Sequence, residues 1–281
     1  MNQLLGAHMS ISEGFYKAII KAAELETNCL QIFTKSNRQW EAKPINPKDI
    51  VLFKQHIKQH NIKQVIAHAS YLINVASDNL VVAQKSIEAL IIELKRCASL
   101  EIKNLVLHPG NNKGAINGVA VRQVAKNINI ALSKSNTTNI LLENMAGQGA
   151  SVAQTIEEIA EIYNLIEQQD RVGVCFDTCH AFAAGYDLNN NYEEIWKQFD
   201  SIIGLNKLKA IHLNDSKKPL GSKIDRHENI GQGYIALDTF EKIMNDSRFI
   251  DIVKILETPI NKNSIEYRSD LDKLLALVKT Y

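Results

Sequence analysis

The chain has 281 residues, of which 45% are hydrophobic and 22% are charged, and its formal net charge at pH 7 is +1. This composition suffices for a buried core and includes no Pro-, Gly- or Ser-rich linker, which predicts one domain spanning residues 1–281. The small net charge excludes nucleic-acid binding by overall electrostatic attraction alone. The sequence also lacks a signal peptide pattern and any apolar segment of membrane-spanning length, which predicts a cytoplasmic protein.

Eight short apolar runs, rich in β-branched residues and bounded by turn residues, predict β-strands. In chain order they are LLGAH ending at His8, CLQIF at 29–33, VIAH ending at His68, NLVLH ending at His108, NILLE ending at Glu143, VGVCFD ending at Asp177, LKAIH ending at His212 and IVKILE ending at Glu257. Stretches with apolar residues at helical spacing separate them, for example Leu80, Ile87, Leu90 and Leu94. Eight successive β-then-α units predict an α/β fold, a single (β/α)₈ TIM barrel.

Seven of these predicted strands end on a histidine, aspartate or glutamate, residues that can bind a divalent metal. In a TIM barrel the carboxyl ends of the strands form the mouth that carries the active site. A single histidine at such a place is more often a structural hydrogen-bonder than a ligand. However, a group of carboxylates and neutral imidazoles in a poorly solvated mouth is stabilised by a cation. The pattern therefore predicts a polynuclear metal site at the C-terminal mouth of the barrel.

Two segments have a spacing typical of metal ligands. In GVCFDTCHAFAAGYD, Asp177 closes a strand and His180 follows three residues later, so one loop can direct two ligands toward neighbouring ions. In HLNDSKKPLGSKIDRHENIGQG, Asp225 and His227 form a D-x-H pair that can converge on one ion from an extended loop. Both segments extend the predicted metal site beyond the strand ends.

The cysteines are not predicted to bind metal. The chain has four, Cys29, Cys97, Cys175 and Cys179, without CxxC spacing or the pattern of a disulfide scaffold, which indicates a reducing compartment. Cys175 and Cys179 flank Asp177, but free cysteines are usually buried. We therefore interpret both as packing residues.

Other loops at the predicted mouth contain apolar and basic side chains. In HASYLINVAS, Tyr71 and Leu72 either insert into a partner, such as the bases of a distorted duplex, or fold back onto the loop. Basic residues follow the second strand, at Lys35 and Arg38, and crowd the insertion after the seventh, at Lys217, Lys218, Lys223 and Arg226. These residues either add to the positive charge of bound metals or are ordinary surface residues.

Several motifs, taken together, resemble one family over essentially the whole chain. They are GAHMS, FTKSNRQW, HASYLIN, HPG, LENMAGQG, GVCFDTCHAFAAGYD, HLNDSK with DRHENIG, and LET, in this order. The sequence resembles the endonuclease IV family, the trinuclear-zinc AP endonucleases of base excision repair. The resemblance implies hydrolysis of the phosphodiester 5′ to an abasic site, giving a 3′-hydroxyl and a 5′-deoxyribose phosphate, and removal of blocked 3′ ends.

The resemblance also implies three Zn²⁺ ions per chain, with Mn²⁺ possible at some sites. The implied ligands are His68, His108 and Glu143 for the first ion; Asp177, His212, Glu257 and the shared Glu143 for the second; and His180, Asp225 and His227 for the third. Glu143 and Glu257 are the implied catalytic carboxylates. Imidazole and carboxylate ligands suit zinc, in agreement with the interpretation of the strand ends.

The implied partner is double-stranded DNA that contains abasic sites or blocked 3′ ends. Nothing in the sequence demands an oligomer, so we expect a monomer. By resemblance, Arg38, Tyr71 and Leu72 form a wedge that enters the duplex at the lesion, where extrusion is easier because one strand has lost its stacking. Lys35, Lys217 and Arg226 are predicted to contact backbone phosphates.

Two alternatives use the same fold. Metal-dependent sugar isomerases and epimerases also place Glu, Asp and His at the strand ends, but they need fewer ions and a closed pocket for a small polyol. A catalytically inactive barrel that only binds DNA would be expected to have lost ligands, whereas this sequence has all nine.

Overall fold

The computed structural model describes residues 3–113, 118–260 and 267–279. The helices and strands of these residues are β1 (Leu5–Met9), α1 (Phe15–Glu24), β2 (Cys29–Phe33), α2 (Pro47–Gln59), β3 (Gln64–His68), α3 (Leu80–Ser99), β4 (Asn104–Leu107), α4 (Val119–Leu132), β5 (Asn139–Glu143), α5 (Ile156–Asn164), β6 (Val172–Asp177), α6 (Thr178–Ala184), α7 (Tyr192–Ile202), β7 (Leu208–His212), β8 (Asp215–Ser216), β9 (His227–Glu228), α8 (Leu237–Asn245), β10 (Val253–Leu256) and α9 (Arg268–Ala276).

Eight parallel strands close into a barrel in the order β1-β2-β3-β4-β5-β6-β7-β10, and β10 pairs with β1. The predicted (β/α)₈ barrel is therefore confirmed, with each predicted strand found within one residue of its observed ends. Two helices, α6 and α7, occupy the crossover between β6 and β7. Because parallel strands all end at the same mouth, the strand-end residues are brought to one place.

The insertion after β7 is a small antiparallel hairpin, β8 with β9, and His227 lies within its second strand. The extended loop predicted for this segment is thus partly wrong. Side-chain hydrogen bonds contribute to the difference: the Asp215 carboxylate, in β8, accepts from the backbone N–H groups of Gly233 and Ile235, in the chain that follows β9. These hydrogen bonds join residues 18 and 20 positions apart, and no apolar periodicity in the sequence reveals them.

Alternation of side chains along the strands divides the barrel interior into layers. One layer is a buried apolar cluster that comprises Cys29, Ile66, Val106, Leu141, Cys175, Ala210, Val253 and Ile255. For every member of this cluster except Val253, the residue two positions further along the strand is a polar residue at the mouth. The apolar layer thus forms a dry floor beneath them, which strengthens electrostatic interactions in the polar layer.

The helices cover the outside of the barrel. On α3, Ile87, Leu90 and Leu94 are buried as the helical spacing predicts, whereas Leu80, at its first residue, is 82% exposed. Among the residues that the structure describes, no helix combines the length and apolar composition that crossing a membrane requires.

Gly6 occupies the apolar floor layer on β1, and its lack of a side chain allows β2 to pack closely. A Cβ at this position would overlap the carbonyl oxygen of Cys29, which is backbone and cannot move aside. We expect Gly6→Ala to lower the free energy of unfolding by about 3 kcal/mol, measured by denaturant titration. Gly149→Ala is the control: its Cβ meets nothing within 4 Å, although φ is +66°. That change should cost only about 1 kcal/mol, and an equal cost at Gly6 would contradict close packing there.

Candidate metal centre

Every strand of the barrel contributes an inward-facing polar side chain at the mouth, either within the strand or directly after it. These side chains are His8, Gln31, His68, His108, Glu143, Asp177, His212 and Glu257. Sequence analysis identified seven of them and missed Gln31, which lies in the middle of the CLQIF strand. A polar residue at an inward position of an otherwise apolar strand was the available signal.

The nine predicted metal ligands come together in three groups, two of which share Glu143. Within each group, one ligand atom from each residue lies within 4.8 Å of the corresponding atoms of the others. The groups are His68, His108 and Glu143; Glu143, Asp177, His212 and Glu257; and His180, Asp225 and His227. These are the same sets that the resemblance implies, so the fold permits all three predicted sites.

Glu143 lies at the centre, fully buried and surrounded by imidazoles. Its Oε2 is 2.9 Å from His108 Nε2 and 3.2 Å from His68 Nε2. Its Oε1 is 2.9 Å from His212 Nδ1 and 3.4 Å from His180 Nδ1. Burial alone would raise the pKa of Glu143, but the neighbouring His108 and His212 hold it well below its ordinary value. The carboxylate is therefore ionised and can bridge two groups of ligands.

Two of the histidines are oriented by backbone carbonyls. Nδ1 of His68 lies 2.7 Å from the carbonyl oxygen of Ala69, and Nδ1 of His180 lies 2.9 Å from that of Asn144. A carbonyl only accepts hydrogen bonds, so Nδ1 of each ring must donate. In the neutral ring this leaves the lone pair of Nε2 directed at a carboxylate oxygen, which is the arrangement of a metal-binding histidine.

Gln31 orients His212 in the same way through its side chain. Its Nε2 donates to Glu257 Oε1 at 2.6 Å and is 2.9 Å from His8 Nδ1, so its Oε1 is the atom that accepts from His212 Nε2 at 2.9 Å. Nδ1 of the neutral His212 ring then carries the lone pair and faces Glu257 Oε2 at 3.2 Å. Gln31 and His8 thus support the ligands without belonging to any of the three groups.

A cation fits this arrangement because acceptor atoms face one another. Nδ1 of His227 lies 3.2 Å from the carbonyl oxygen of Glu257, and its buried Nε2 has no hydrogen-bond partner. That Nε2 lies 3.5 Å from Asp225 Oδ1 and 3.8 Å from Asp177 Oδ2. A divalent ion between these atoms would satisfy the unpaired nitrogen and both carboxylates.

The carboxylates also set the electrostatics of the histidines. Burial would lower the pKa of His180, but the charges of Asp177 and Asp225 raise it well above its ordinary value. The same negative potential that favours a proton on the ring favours a divalent cation beside it.

Asparagine side chains fix the position of Asp177 and of the chain after β10. Asn144 accepts from the backbone N–H of Asp177 at 2.7 Å, and Asn214 Nδ2 donates to Asp177 Oδ2 at 2.6 Å. Asn214 Oδ1 also accepts from the backbone N–H of Glu257 at 2.8 Å. Both asparagines follow strand ends in the sequence, but nothing in the sequence indicated these contacts.

The two cysteines beside Asp177 are buried, as predicted. Burial raises the pKa of Cys175 to about 12 and that of Cys179 still further. Cys179 Sγ lies near Asp177 and His227, but it is also 3.6 Å from the carbonyl oxygen of Arg226. The burial of both thiols and the contact of Cys179 with the Arg226 carbonyl agree with a packing role.

One of the predicted wedge residues, Tyr71, lies beside the metal centre. The Tyr71 side chain is 57% exposed, and its ring centroid is 5.3 Å from that of His68 and 5.8 Å from that of His108. Leu72 lines a cavity of about 730 Å³ together with Arg38, which is exposed. Tyr71 and Leu72 therefore do not fold back into a closed cluster within their own loop.

The predicted phosphate-binding residues differ in exposure. Lys217 is exposed and pairs with Glu228 at 3.2 Å, and Arg226 is exposed at the same hairpin. Lys35 is buried: its Nζ donates to the carbonyl oxygen of Gln39 at 2.5 Å and lies 3.8 Å from Glu93 Oε1. A buried ammonium cannot reach a phosphate on the protein surface, so this arrangement does not support the contact predicted for Lys35.

Comparisons with known proteins agree on one family. Residues 19–277 match the family described as xylose isomerase-like TIM barrels. The chain is 42% identical to a protein named probable endonuclease 4 from Chloroflexus aurantiacus, over 98% of both, and 41% identical to a protein of the same name from Geotalea daltonii, over 99% of both. The crystal structure of endonuclease IV from Thermus thermophilus aligns with a TM-score of 0.87 at 31% identity, over 97% of this chain and 98% of that one. A D-tagatose 3-epimerase-like protein aligns with a TM-score of 0.68 at 21% identity over 97% of this chain and 96% of that one, which shows a shared fold alone.

Proposed function

Because the chain belongs to the endonuclease IV family of xylose isomerase-like TIM barrels, we propose that it is a zinc-dependent DNA-repair enzyme that cleaves DNA at abasic sites. The family predicted from the sequence and the deoxyribonuclease class of enzyme are both confirmed by these matches. The observation that carries the finer proposal is the presence of three adjacent ligand groups, two of which share Glu143. A sugar epimerase has no use for so large a set.

The proposed ligands are those of the three groups, and each group would hold one Zn²⁺. Nitrogen and oxygen ligands without thiolates also allow Mn²⁺ at some positions. Bound cations would supply Lewis acidity toward the phosphodiester and would neutralise the charge that develops on its oxygens. No serine, cysteine or other nucleophilic side chain is then needed, and water is the proposed nucleophile.

The protein side chains would organise this chemistry. Glu143, through its two oxygens, would keep the first and second sites at a fixed separation, and Glu257 would complete the second site. The apolar floor excludes water from below, so the scissile group would be approached only from the open mouth. Water would attack phosphorus and the bond to the 3′-oxygen would break, leaving a 3′-hydroxyl and a 5′-deoxyribose phosphate.

Recognition would depend on the loops beside the metal centre. The exposed Tyr71, together with Leu72 and Arg38, would form a wedge that fills the space left by the missing base. Lys217 and Arg226 would contact backbone phosphates, which add affinity but no information about the lesion. An abasic nucleotide lacks stacking and pairing, so it is displaced more easily than an intact one.

The proposal is tested with a duplex that contains one abasic site. We expect incision on the 5′ side of the lesion, a product that a DNA polymerase can extend from its 3′-hydroxyl, and no incision of the undamaged duplex. A duplex ending in a 3′-phosphoglycolate tests the proposed removal of blocked 3′ ends. No incision, together with epimerisation of a ketohexose, would overturn the proposal in favour of a sugar enzyme.

Gln31 provides a prediction about the support of the metal centre. In Gln31→Leu, the hydrogen bonds to His212 and Glu257 are lost while the volume is nearly kept. We expect metal affinity to fall about 10- to 100-fold, measured by competition with a chromogenic chelator. Gln84→Leu, at an exposed position on α3 where the side chain bonds only Glu88, should leave affinity unchanged. Unchanged affinity in Gln31→Leu would show that His212 needs no such support.

A further inference from the structure

Glu93, on α3, is a buried carboxylate that the proposed chemistry does not use. Its side chain is 1% exposed. Its Oε2 accepts from the hydroxyl of Thr34 at 2.5 Å, and its Oε1 accepts from the backbone N–H of Ser70 at 3.1 Å. Thr34 begins the loop after β2, and Ser70 lies in the loop after β3. One carboxylate therefore holds two loops at the mouth.

Basic side chains complete this buried network. Lys35 Nζ lies 3.8 Å from Glu93 Oε1 and also donates to the carbonyl oxygen of Gln39, which keeps the loop after β2 folded against α3. Arg96, one turn along the same helix, donates from Nε to the carbonyl oxygen of Thr34 at 2.9 Å. Arg96 also donates from Nη1 to the carbonyl oxygen of Lys43 at 2.5 Å, so the network ties the loop that contains Arg38 to the helix from both ends.

The two loops also contact each other directly. The Ser70 hydroxyl donates to the carbonyl oxygen of Asn37 at 2.9 Å and accepts from the backbone N–H of Leu72 at 3.3 Å. Asn37 adjoins Arg38, and Leu72 adjoins Tyr71 in the sequence. Glu93 holds Ser70, and Ser70 in turn holds the backbone next to Arg38 and next to Tyr71. Glu93 therefore helps to position all three wedge residues.

Stability alone is a weak reason for such a network. A buried pair of charges loses its hydration, and apolar residues of similar size often stabilise a protein equally well or better. Fixed geometry is a stronger reason, because a binding loop held in its bound conformation loses less entropy when it binds.

We propose that Glu93 is a positioning residue for damage recognition, which holds the loops after β2 and β3 so that Arg38, Tyr71 and Leu72 are preorganised to enter the duplex. The inference rests on the proposed function of these three residues as a wedge. Lys35 is part of this buried network, in which it is the counter-ion of Glu93. It is not part of the phosphate-binding surface.

The test compares Glu93→Gln with Glu88→Gln, which makes the same change at an exposed position of α3. Binding is measured with a duplex that contains a tetrahydrofuran abasic analogue and a slowly cleaved phosphorothioate at the scissile position. We expect Glu93→Gln to weaken binding to this duplex about tenfold. Binding to undamaged duplex, metal content, and hydrolysis of bis(p-nitrophenyl) phosphate should match those of Glu88→Gln.

A double-mutant cycle separates positioning from a general structural role. In the Tyr71→Ala/Leu72→Ala background, Glu93→Gln should have little further effect, because the residues it positions are gone. An equal tenfold loss in that background, or no loss in the native background, would overturn the inference. If Tyr71→Ala/Leu72→Ala itself leaves binding to abasic DNA unchanged, the proposed wedge is wrong, and the inference falls with it.

Thr34→Val provides a second variant for the case that Glu93→Gln does not fold. It removes only the hydroxyl that donates to Glu93 and keeps the shape of the side chain. We expect a smaller loss of affinity for abasic DNA, about threefold, with metal content unchanged. Native affinity in this variant would contradict the proposed coupling between the loop after β2 and Glu93.

Discussion

Glu143→Gln is expected to lose at least one of the three proposed cations and to cleave abasic DNA about 10³-fold more slowly, or worse. The native carboxylate lies among four imidazoles and belongs to two ligand groups. Glutamine keeps its shape but removes the negative charge, and its amide nitrogen cannot bind a cation. Both sites that share Glu143 would therefore be weakened by one change.

The measurements are elemental analysis of the purified variant and single-turnover cleavage of the abasic duplex. Glu228→Gln is the matched control, because it changes a carboxylate of the β9 hairpin that pairs with Lys217 and lies outside the three groups. That variant should keep its metal and its rate of cleavage. A Glu143→Gln protein with native activity would exclude a bridging role for this carboxylate.

Truncation of the wedge, in Tyr71→Ala/Leu72→Ala, is expected to weaken binding to abasic DNA about 10- to 100-fold. Metal content and hydrolysis of bis(p-nitrophenyl) phosphate should stay native, because neither residue belongs to a ligand group. Binding to abasic DNA should weaken because an exposed aromatic ring beside the metal centre can replace the stacking lost at the lesion, whereas alanine cannot.

Leu165→Ala serves as the control for loss of an exposed apolar side chain, since Leu165 is 45% exposed and follows α5 at the opposite end of the barrel. It should bind abasic DNA as the native protein does. If the Tyr71→Ala/Leu72→Ala protein instead loses small-ester hydrolysis and abasic-site cleavage to the same degree, the loop supports the metal centre, and its assignment as a wedge must be abandoned.

The barrel and the candidate ligands could be predicted because each depends on a local pattern. An apolar run that closes with a histidine or a carboxylate, as at His68 or Glu143, indicates a strand and a residue at the mouth at the same time. Parallel closure then brings together residues that are distant in sequence, without any knowledge of individual contacts. The family resemblance added the division of the ligands into three sets.

The supporting contacts could not be predicted, because they join residues without a shared pattern. Gln31 contacts His212 across 181 positions of sequence, and Glu93 contacts Thr34 across 59. Lys35 is an example of a contact that could not be predicted from the sequence. A lysine after a strand suggests a phosphate contact, but the ammonium group of Lys35 is turned inward toward Glu93. The direction of a long side chain is decided by the partners that packing provides.

The metal content of the purified protein tests the central claim most directly. Nine ligand-type side chains in three groups predict close to three divalent ions per chain, measured by elemental analysis against protein concentration. The count should return to about three when metal is restored after treatment with a chelator. A protein that holds a single ion after saturation with Zn²⁺ would contradict a trinuclear centre and would favour a sugar-metabolising barrel.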